Sequence, residues 1–392
     1  MDQDGYVDQF VSEVHLDFRP SLVAADSISD SFSKEKFVTR IPLFIESFKR
    51  NSKAFTECDV CDENYDKDKK QISSKKQKLD EDGDFELNRE EDSKIERHTK
   101  LSFVHCRRTN LSDVGLQIWR ASLFLLDFIF SSTNNPDDGD CTLFDDDCYC
   151  IELGCGIGMC SSILQMMEMK SLIATDKDSE ILDLCSENMK FQLENSFLAE
   201  YMPRADNNQE NILSPEQCKK LDWFEISKIY DMLDIKKSNE TTTLMSHLET
   251  YLGEGLGNKQ NQSLTSSYAW SKQDILKLKK TDRIIAADCI YDETLTLWLF
   301  KTLMILCLVS EASEIRVFFA VEKRLNFTLE DLDVASPCYN HFIKLMGELV
   351  QNDKSWKIGG SFEVKQIKQF EQFLGYERSE LLELWEICYT RN

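Results

Sequence analysis

Three glycines within one seven-residue segment are residues whose type and spacing suit the binding of a small molecule. The segment reads Glu152-Leu153-Gly154-Cys155-Gly156-Ile157-Gly158. Gly154 can adopt backbone conformations that are closed to other residues, and Gly156 and Gly158 place no Cβ between the main chain and a ligand. The spacing therefore predicts a tight turn against which a small molecule can lie.

Acidic residues around this turn bear on which small molecule it holds. The dinucleotide fingerprint has its third glycine one residue later, and Glu152 would repel a pyrophosphate. S-adenosylmethionine has no phosphate but carries an α-amino group and a sulfonium, which a nearby acid favours. Asp176 lies 18 residues beyond Gly158, where its carboxylate can accept hydrogen bonds from both ribose hydroxyls. We therefore predict an S-adenosylmethionine site; a nicotinamide oxidoreductase and a purely structural turn beside a surface Asp are the alternatives.

A second candidate group, Asp288-Cys289-Ile290-Tyr291, follows the apolar run Ile284 to Ala287. Ligands of parallel sheets lie beyond the carboxyl ends of the strands, so this group should face the glycine turn. Methylation of an amine needs an open lone pair, and a lysine with a pKa of about 10.4 must first lose its proton. We expect Asp288 to hold the incoming ammonium and Tyr291 to desolvate and orient the amine. The alternative is a strand-end Asp that caps the next helix, with Tyr291 in packing.

Two tryptophan segments are candidates for the rim of the site. Gly115 to Trp119 precedes the first long helical run, and Leu221-Asp222-Trp223 is placed to end a third strand. Asp222 can accept a hydrogen bond from an adenine amino group, and the indole of Trp223 can stack on the adenine ring. Taken singly, each Trp is more often a core residue.

The elements that would position these residues alternate between strand and helix. Strand-like runs are Cys148 to Leu153, Leu172 to Thr175, Arg283 to Asp288 and Ile315 to Val321; helix-like runs are Trp119 to Phe130, Ile157 to Met169 and Ser179 to Leu193. The last two strands are apolar apart from Arg283, Asp288 and Arg316, as expected for strands buried on both faces. This order predicts an α/β fold with a doubly wound parallel sheet and helices on both sides.

Composition divides the 392-residue chain into three parts. Between residues 61 and 100, 23 of 40 residues are Asp, Glu, Lys or Arg, and such a stretch cannot bury enough surface to offset its ordering entropy. We predict a disordered charged linker at 61–100, an N-terminal extension at 1–60 that adds a strand or hairpin to the core, and an S-adenosylmethionine-binding domain at 101–392. Higher polarity and clustered glycines predict a loop inserted at about 224–269.

Charge and cysteine content narrow the classes of partner. Seventy acidic and 46 basic residues give a net charge of −24, which opposes binding to nucleic acid or anionic membranes and suits a basic protein. The most apolar stretch, Leu295 to Val309, is too short to cross a bilayer. The 14 Cys are scattered, so we expect reduced thiols and no disulfide framework. We expect no metal site, because Cys58-Asp59-Val60-Cys61 has no second pair or nearby His at ligand spacing.

Two short basic clusters bear on localisation. They consist of Lys67, Lys69, Lys70, Lys75, Lys76 and Lys78. Their arrangement is typical of a bipartite nuclear import signal, and a solvated charged run is the alternative. We expect a nuclear protein that is also found in the cytoplasm.

Several longer segments carry a family resemblance from Leu101 to the C-terminus. They are D-V-G-L-Q-I-W-R from Asp113, E-L-G-C-G-I-G from Glu152, L-D-W from Leu221, Y-A-W-S from Tyr268 and D-C-I-Y-D-E from Asp288. The most specific are V-E-K-R-L-N-F-T-L-E-D-L-D-V from Val321 and Y-E-R-S-E-L-L-E-L-W-E-I from Tyr376. Together they resemble the seven-strand protein-lysine methyltransferases with an acid-x-x-Tyr motif, and among these the methyltransferase-like protein 22 family.

The resemblance implies a class I methyltransferase (Rossmann-like) fold and S-adenosyl-L-methionine as cofactor. It implies cofactor contacts at Trp119, Gly154, Cys155, Gly156, Asp176, Trp223 and Ala287. Asp288 and Tyr291 occupy the motif beside the acceptor lysine, although this branch often has Glu in place of Asp288. The implied acceptor is a lysine of a protein, with a nuclear nucleic-acid-binding protein as precedent. We expect a monomer, and a non-catalytic S-adenosylmethionine-binding module is the alternative.

Overall fold

The computed structural model describes residues 21–22, 36–43, 100–134, 143–167, 169–195, 217–233, 240–253, 268–328, 333–351, 356 and 358–391. The predicted charged linker, except for its last residue, and the two lysine clusters lie outside the described residues. So does most of the predicted N-terminal extension.

A seven-stranded sheet forms the centre of the fold. Numbered along the chain with those of two smaller sheets, the strands are β1 Ser21–Leu22, β2 Lys36–Pro42, β3 Lys100–Cys106, β4 Tyr149–Leu153, β5 Ser171–Asp176, β6 Cys218–Lys220, β7 Arg283–Ala287, β8 Glu314–Glu322, β9 Asn326–Thr328, β10 Asp333–Ala335, β11 Ser361–Ile367 and β12 Leu382–Thr390. The order across the sheet is β11-β12-β8-β7-β4-β5-β6. The five strands from β8 to β6 in this order are parallel, whereas β12 is antiparallel to both of its neighbours. The predicted doubly wound α/β fold is confirmed, with one strand reversed.

Helices cover both faces of this sheet. They are α1 Arg120–Asn134, α2 Met159–Leu164, α3 Ser179–Asn195, α4 Trp223–Met232, α5 Glu240–Gly253, α6 Lys272–Leu278, α7 Glu293–Val309 and α8 Pro337–Val350. One core joins the sheet to α1, α2 and α3, and a second joins it to the other five helices. In β7, Ile285 belongs to the first core, whereas Ile284 and Ala286 belong to the second. This alternation explains the continuous apolar run, because a central strand is covered on both faces.

The described part of the N-terminal extension packs on the layer that carries the glycine turn. β2 pairs antiparallel with β3, and β3 contacts α3 through Asn188. The side chain of Asn188 accepts a hydrogen bond from the N–H of Val104 at 2.8 Å and donates to the carbonyls of Val104 and Ile157 at 2.9 Å each. Asn188 therefore links the small N-terminal sheet to the glycine turn.

Two parts of the chain differ from what composition suggests. The segment predicted as an inserted loop contains α4 and α5, which the polarity of the sequence did not indicate; Leu244, Leu248 and Leu252 of α5 are buried in the second core. Residues 111–133 are long and apolar enough to cross a membrane, yet 72% of their most apolar window is buried inside the fold. Burial of this kind is typical of a core helix.

Candidate functional site

The glycine turn lies directly after β4, and all three of its glycines have positive φ angles: 68° at Gly154, 52° at Gly156 and 77° at Gly158. L-residues rarely adopt this region, so the backbone itself requires glycine. Contacts add to the requirement at Gly154, where a Cβ would lie 2.8 Å from the Sγ of Cys289 and 3.2 Å from the indole of Trp223. The sequence thus folds into the tight turn that its glycines predict.

Asp176 ends β5 next to this turn. Its carboxylate accepts hydrogen bonds from the backbone N–H of Gly156 at 3.2 Å and of Lys177 at 2.8 Å. Burial raises the pKa of Asp176 to about 6, although the two N–H groups favour the charged form and oppose the shift. Asp176 is therefore ionised at neutral pH and loses its charge in mildly acidic solution.

A cavity of about 900 Å³, including its open mouth, lies at the carboxyl ends of the parallel strands. It is lined by residues that end or directly follow four of them: the glycine turn after β4, Asp176 at the end of β5, Leu221 after β6 and Ala287 at the end of β7. This is the ligand position expected for an open α/β sheet. Ten of the twelve predicted site residues line it, namely Trp119, Gly154, Cys155, Gly156, Asp176, Asp222, Trp223, Ala287, Asp288 and Tyr291.

The remaining two predicted residues, Glu152 and Gly158, do not line the cavity. Glu152 is only 2% exposed, and its carboxylate accepts hydrogen bonds from the N–H and the hydroxyl of Ser161 at the start of α2. Burial raises its pKa to about 7. Gly158 faces α3, where a Cβ would overlap Cys185. Both residues therefore lie outside the cavity and contact neighbouring helices instead. Glu152 binds α2, and Gly158 packs against α3.

Asp288 and Tyr291 reach the cavity from the loop between β7 and α7. Asp288 has a φ of 55°, and its N–H donates to the carbonyl of Ala320 at 2.9 Å, which holds the residue against β8. The following helix is capped by Asp292, whose carboxylate accepts from the N–H of Leu295 at 2.8 Å. Helix capping, one alternative for Asp288, therefore belongs to Asp292. Tyr291 is 37% exposed at the mouth of the cavity, and partial burial together with nearby carboxylates raises the pKa of its phenol.

The rim residues are held by local hydrogen bonds. Trp119 donates from its indole N–H to the carbonyl of Val114 at 2.9 Å, which fixes the ring above a short 3-10 helix over Leu111–Leu116. Asp222 is the N-cap of α4 and accepts from the N–H of Phe224 at 2.9 Å. Trp223 is the first residue of that helix; it is partly buried against the second core, and its indole lies next to Gly154.

Sequence reasoning gave Cys289 and Ile181 of this site no role of their own, and it placed Glu322-Lys323-Arg324 either at the substrate entrance or in a solvated loop. Cys289 and Ile181 line the cavity from the β7 loop and from α3. Arg324 binds the carboxylate of Asp288, with Nη2 2.8 Å from Oδ2. The sequence places Arg324 36 residues beyond Asp288, and only the pairing of β7 with β8 brings the two together. The one available signal was the position of Glu322-Lys323-Arg324 directly after a predicted central strand.

The charge of the lining determines which ligands it favours. Asp176, Asp222 and Asp288 contribute three carboxylates, and Lys177 is the single cation among the described lining residues. Such a surface disfavours a pyrophosphate and favours a ligand with positive charge. No group of three or more potential metal ligands occurs in the described ranges. The arrangement suits a cationic nucleoside bound beside an acid and a phenol.

Comparisons with known proteins find relatives of similar sequence. The chain is 30% identical over 299 residues to methyltransferase-like protein 22 of Homo sapiens, an alignment that covers 74% of this chain and 58% of that protein. It is also 30% identical over 292 residues to methyltransferase-like protein 22 of Mus musculus, covering 74% and 59%. The chain thus spans less than two thirds of the length of these relatives. No protein-family model matches it.

Solved structures with a similar chain path include the methyltransferase domain of bacterial CtHen1-CN, with a TM-score of 0.33, 11% identity and coverage of 69% of this chain and 98% of that chain. A human methyltransferase 10 domain containing protein matches with a TM-score of 0.31 and 10% identity, covering 69% of this chain and 82% of that chain.

Proposed function

Because the aligned part of this chain belongs to the methyltransferase-like protein 22 family, we propose that the protein is an S-adenosylmethionine-dependent protein-lysine N-methyltransferase. The observation that carries the proposal is the meeting of two groups in one cavity. The glycine turn and Asp176 line one side of it, and Asp288 and Tyr291 line another. A cofactor cradle and an acceptor motif thus share one space.

The residues present fit S-adenosylmethionine. Gly154 and Gly156 keep the cradle free of side chains, and Asp176 would hold the ribose hydroxyls. Asp222 and Trp223 would hold the adenine, and the acidic lining favours the cationic cofactor. When bound, S-adenosylmethionine supplies an electrophilic methyl group, whose transfer breaks an S–C bond, forms an N–C bond and leaves a neutral thioether.

The residues of the chain itself would align and desolvate the acceptor amine. Asp288 carries a side chain that is only 3% exposed, so its carboxylate acts in a poorly solvated setting. The phenol of Tyr291 is protonated at neutral pH, as an ordinary tyrosine is, and burial raises its pKa further. Tyr291 can therefore cover the amine without adding charge. Alignment of a lone pair in a dry site contributes a large part of the rate in such reactions.

A basic protein is the proposed acceptor, and the nucleus is the proposed site of action. Asp292 and Glu293 are exposed next to Tyr291 at the mouth of the cavity, and the whole chain has a net charge of −24. Negative potential at the mouth raises the local concentration of a lysine-rich segment and opposes nucleic acid. We propose no direct contact with nucleic acid or membrane.

The test is to incubate the full chain with nuclear extract and S-adenosylmethionine that carries a trideuterated methyl group. We expect mass spectrometry to find the heavy methyl on lysine Nζ of one or a few basic proteins. The number of methyl groups per lysine is read from the same spectra.

Two outcomes would overturn this proposal. Heavy methyl on nucleic acid, or on arginine alone, would replace lysine as the acceptor. Absence of any label, together with S-adenosylmethionine binding in calorimetry, would favour the non-catalytic binding module. Heat treatment of the extract inactivates its own methyltransferases. Label that appears in heat-treated extract therefore comes from the added chain.

The pKa of Asp176 gives a further prediction about S-adenosylhomocysteine, the product of methyl transfer. Ribose hydroxyls donate to the ionised carboxylate, so binding selects the deprotonated form. Above pH 6 the affinity should be constant, and below pH 6 it should fall with each pH unit. With a pKa of about 6, we expect the Kd to be about tenfold weaker at pH 5 than at pH 8. Calorimetry between pH 5 and pH 8 measures this change in Kd.

Two variants identify the group whose titration causes the change of affinity with pH. Asp176→Asn should bind more weakly and show no step near pH 6. Glu152→Gln should keep the step, because Glu152, with a pKa of about 7, lies behind the turn and outside the cavity. An unchanged step in Asp176→Asn would show that another group titrates.

A further inference from the structure

Arg324 contacts two residues that line the cavity. Its Nη2 lies 2.8 Å from Oδ2 of Asp288, and its guanidinium carbon lies 4.7 Å from the centroid of the Trp119 ring. The side chain of Asp288 is 3% exposed and that of Arg324 is 34% exposed. A planar guanidinium between an acid and an aromatic face is held by both charge and stacking. Arg324 therefore has a defined position beside the proposed acceptor site.

The backbone holds Arg324 between two cavities. Its carbonyl accepts a hydrogen bond from the hydroxyl of Ser336 at 2.9 Å, directly before α8. Arg324 also lines a second cavity of about 350 Å³ with Tyr339 and Tyr291, and Tyr291 lines both cavities. The Arg324–Asp288 pair thus stands where an acceptor side chain and the cofactor cavity would meet.

Other charged groups at this junction are engaged elsewhere. Glu322 lies 3.5 Å from Arg120, and Lys323 lies 2.5 Å from Glu383. Asp292 and Glu293 face solvent at the mouth. Asp288 and Arg324 are accordingly the charged pair next to an amine placed beside Asp288, with Asp176 as a further carboxylate in the same cavity.

A methyl acceptor must present a neutral amine, because an ammonium has no lone pair. A lone buried carboxylate beside the amine would favour the ammonium and raise its pKa, which opposes the reaction. A carboxylate that is already paired with a guanidinium still orients the amine by hydrogen bonding but holds its proton much less strongly. Resting on the function proposed above, we propose that Arg324 is a positioning residue that neutralises Asp288 so that the acceptor lysine enters uncharged.

Two cofactor analogues test this without an acceptor. S-adenosylhomocysteine has a neutral thioether, whereas in sinefungin a carbon that bears an amino group replaces the methylated sulfur. The sinefungin ammonium therefore reports the charge at the reacting position. Calorimetry at pH 7 on the full chain gives the ratio of the S-adenosylhomocysteine Kd to the sinefungin Kd. Unlike an activity, this ratio cancels a general loss of folding or of cofactor affinity.

The expected result is a rise of this ratio by about tenfold in Arg324→Gln, because Asp288 then loses the positive charge of the guanidinium. Arg324→Lys, which keeps the cation, should stay near the wild-type ratio. Asp288→Asn should lower the ratio by about tenfold, because Arg324 then repels the ammonium. The double variant Asp288→Asn with Arg324→Gln should show no rise.

The inference is overturned by equal ratios in the wild type, Arg324→Gln and Asp288→Asn. If Arg324→Gln fails to fold, Arg324→Met, which removes the charge but keeps an unbranched side chain beside Trp119, takes its place, and a ratio equal to that of the wild type overturns the inference. Failure of the proposed function has a different signature, since no heavy methyl would then appear on lysine in the nuclear-extract assay, whatever the ratio of the two Kd values.

Discussion

Replacement of Asp288 by Asn should lower the rate of lysine methylation by about 10²- to 10³-fold. The change removes the charge that aligns the acceptor amine and leaves Arg324 without the carboxylate 2.8 Å away. Asn is the suitable substitute, because Asp288 has a φ of 55° and Asn tolerates this region better than Ala does. Single-turnover transfer of tritiated methyl to the labelled nuclear protein measures the rate.

Binding and a matched variant separate this loss from misfolding. The Kd of S-adenosylhomocysteine should stay within about threefold of wild type, since its thioether is neutral. Asp231→Asn makes the same chemical change at an exposed carboxylate of α4 that pairs with Lys301, and should leave the rate unaltered. A rate for Asp288→Asn within tenfold of wild type would remove Asp288 from the acceptor site.

Replacement of Gly154 by Arg should weaken S-adenosylhomocysteine binding by about a hundredfold or more, which corresponds to about 2.7 kcal/mol. Gly154 has a φ of 68°, and its new Cβ would lie 2.8 Å from the Sγ of Cys289. The turn must shift, and the long side chain has the cavity as its nearest open space. Calorimetry measures the affinity, and methylation should fall with it.

The same substitution at another glycine is the control. Gly347 lies in α8, and no heavy atom lies within 4 Å of a Cβ built there. Gly347→Arg should therefore bind S-adenosylhomocysteine as the wild type does. An affinity of Gly154→Arg within threefold of that of Gly347→Arg would mean that the glycine turn does not form the cofactor site.

Local patterns predicted the fold class because they are governed by burial and backbone chemistry. Continuous apolar runs identified β7 and β8, since strands covered on both faces have no polar side. Three glycines identified the turn, because positive φ angles are closed to most side chains. Reversal of β12 could not be read from its residues, because strand direction depends on the connection and not on composition. Helix α5 likewise could not be predicted from its polar threonines and short apolar stripe, because its stability comes mostly from packing against the core.

The residues of the candidate site also divide into those that the sequence predicts and those that it does not. Residues that end parallel strands, such as Asp176 and Asp288, are predictable because strand ends share one edge of the sheet. Glu152 was assigned to the ligand from its position two residues before the first glycine, yet it is buried and its carboxylate binds Ser161 at the start of α2. Arg324 could be assigned no partner, because its contact with Asp288 depends on the register between β7 and β8. Sequence distance thus locates a turn, whereas tertiary contacts decide which way each side chain faces.

A crystal structure of the full chain with S-adenosylhomocysteine tests the central claim most directly. We expect the nucleoside between the glycine turn and Asp176, adenine beside Trp223, and the thioether sulfur facing Tyr291 and the Asp288–Arg324 pair. A ligand bound elsewhere, or a sulfur that faces away from Tyr291, would contradict the account.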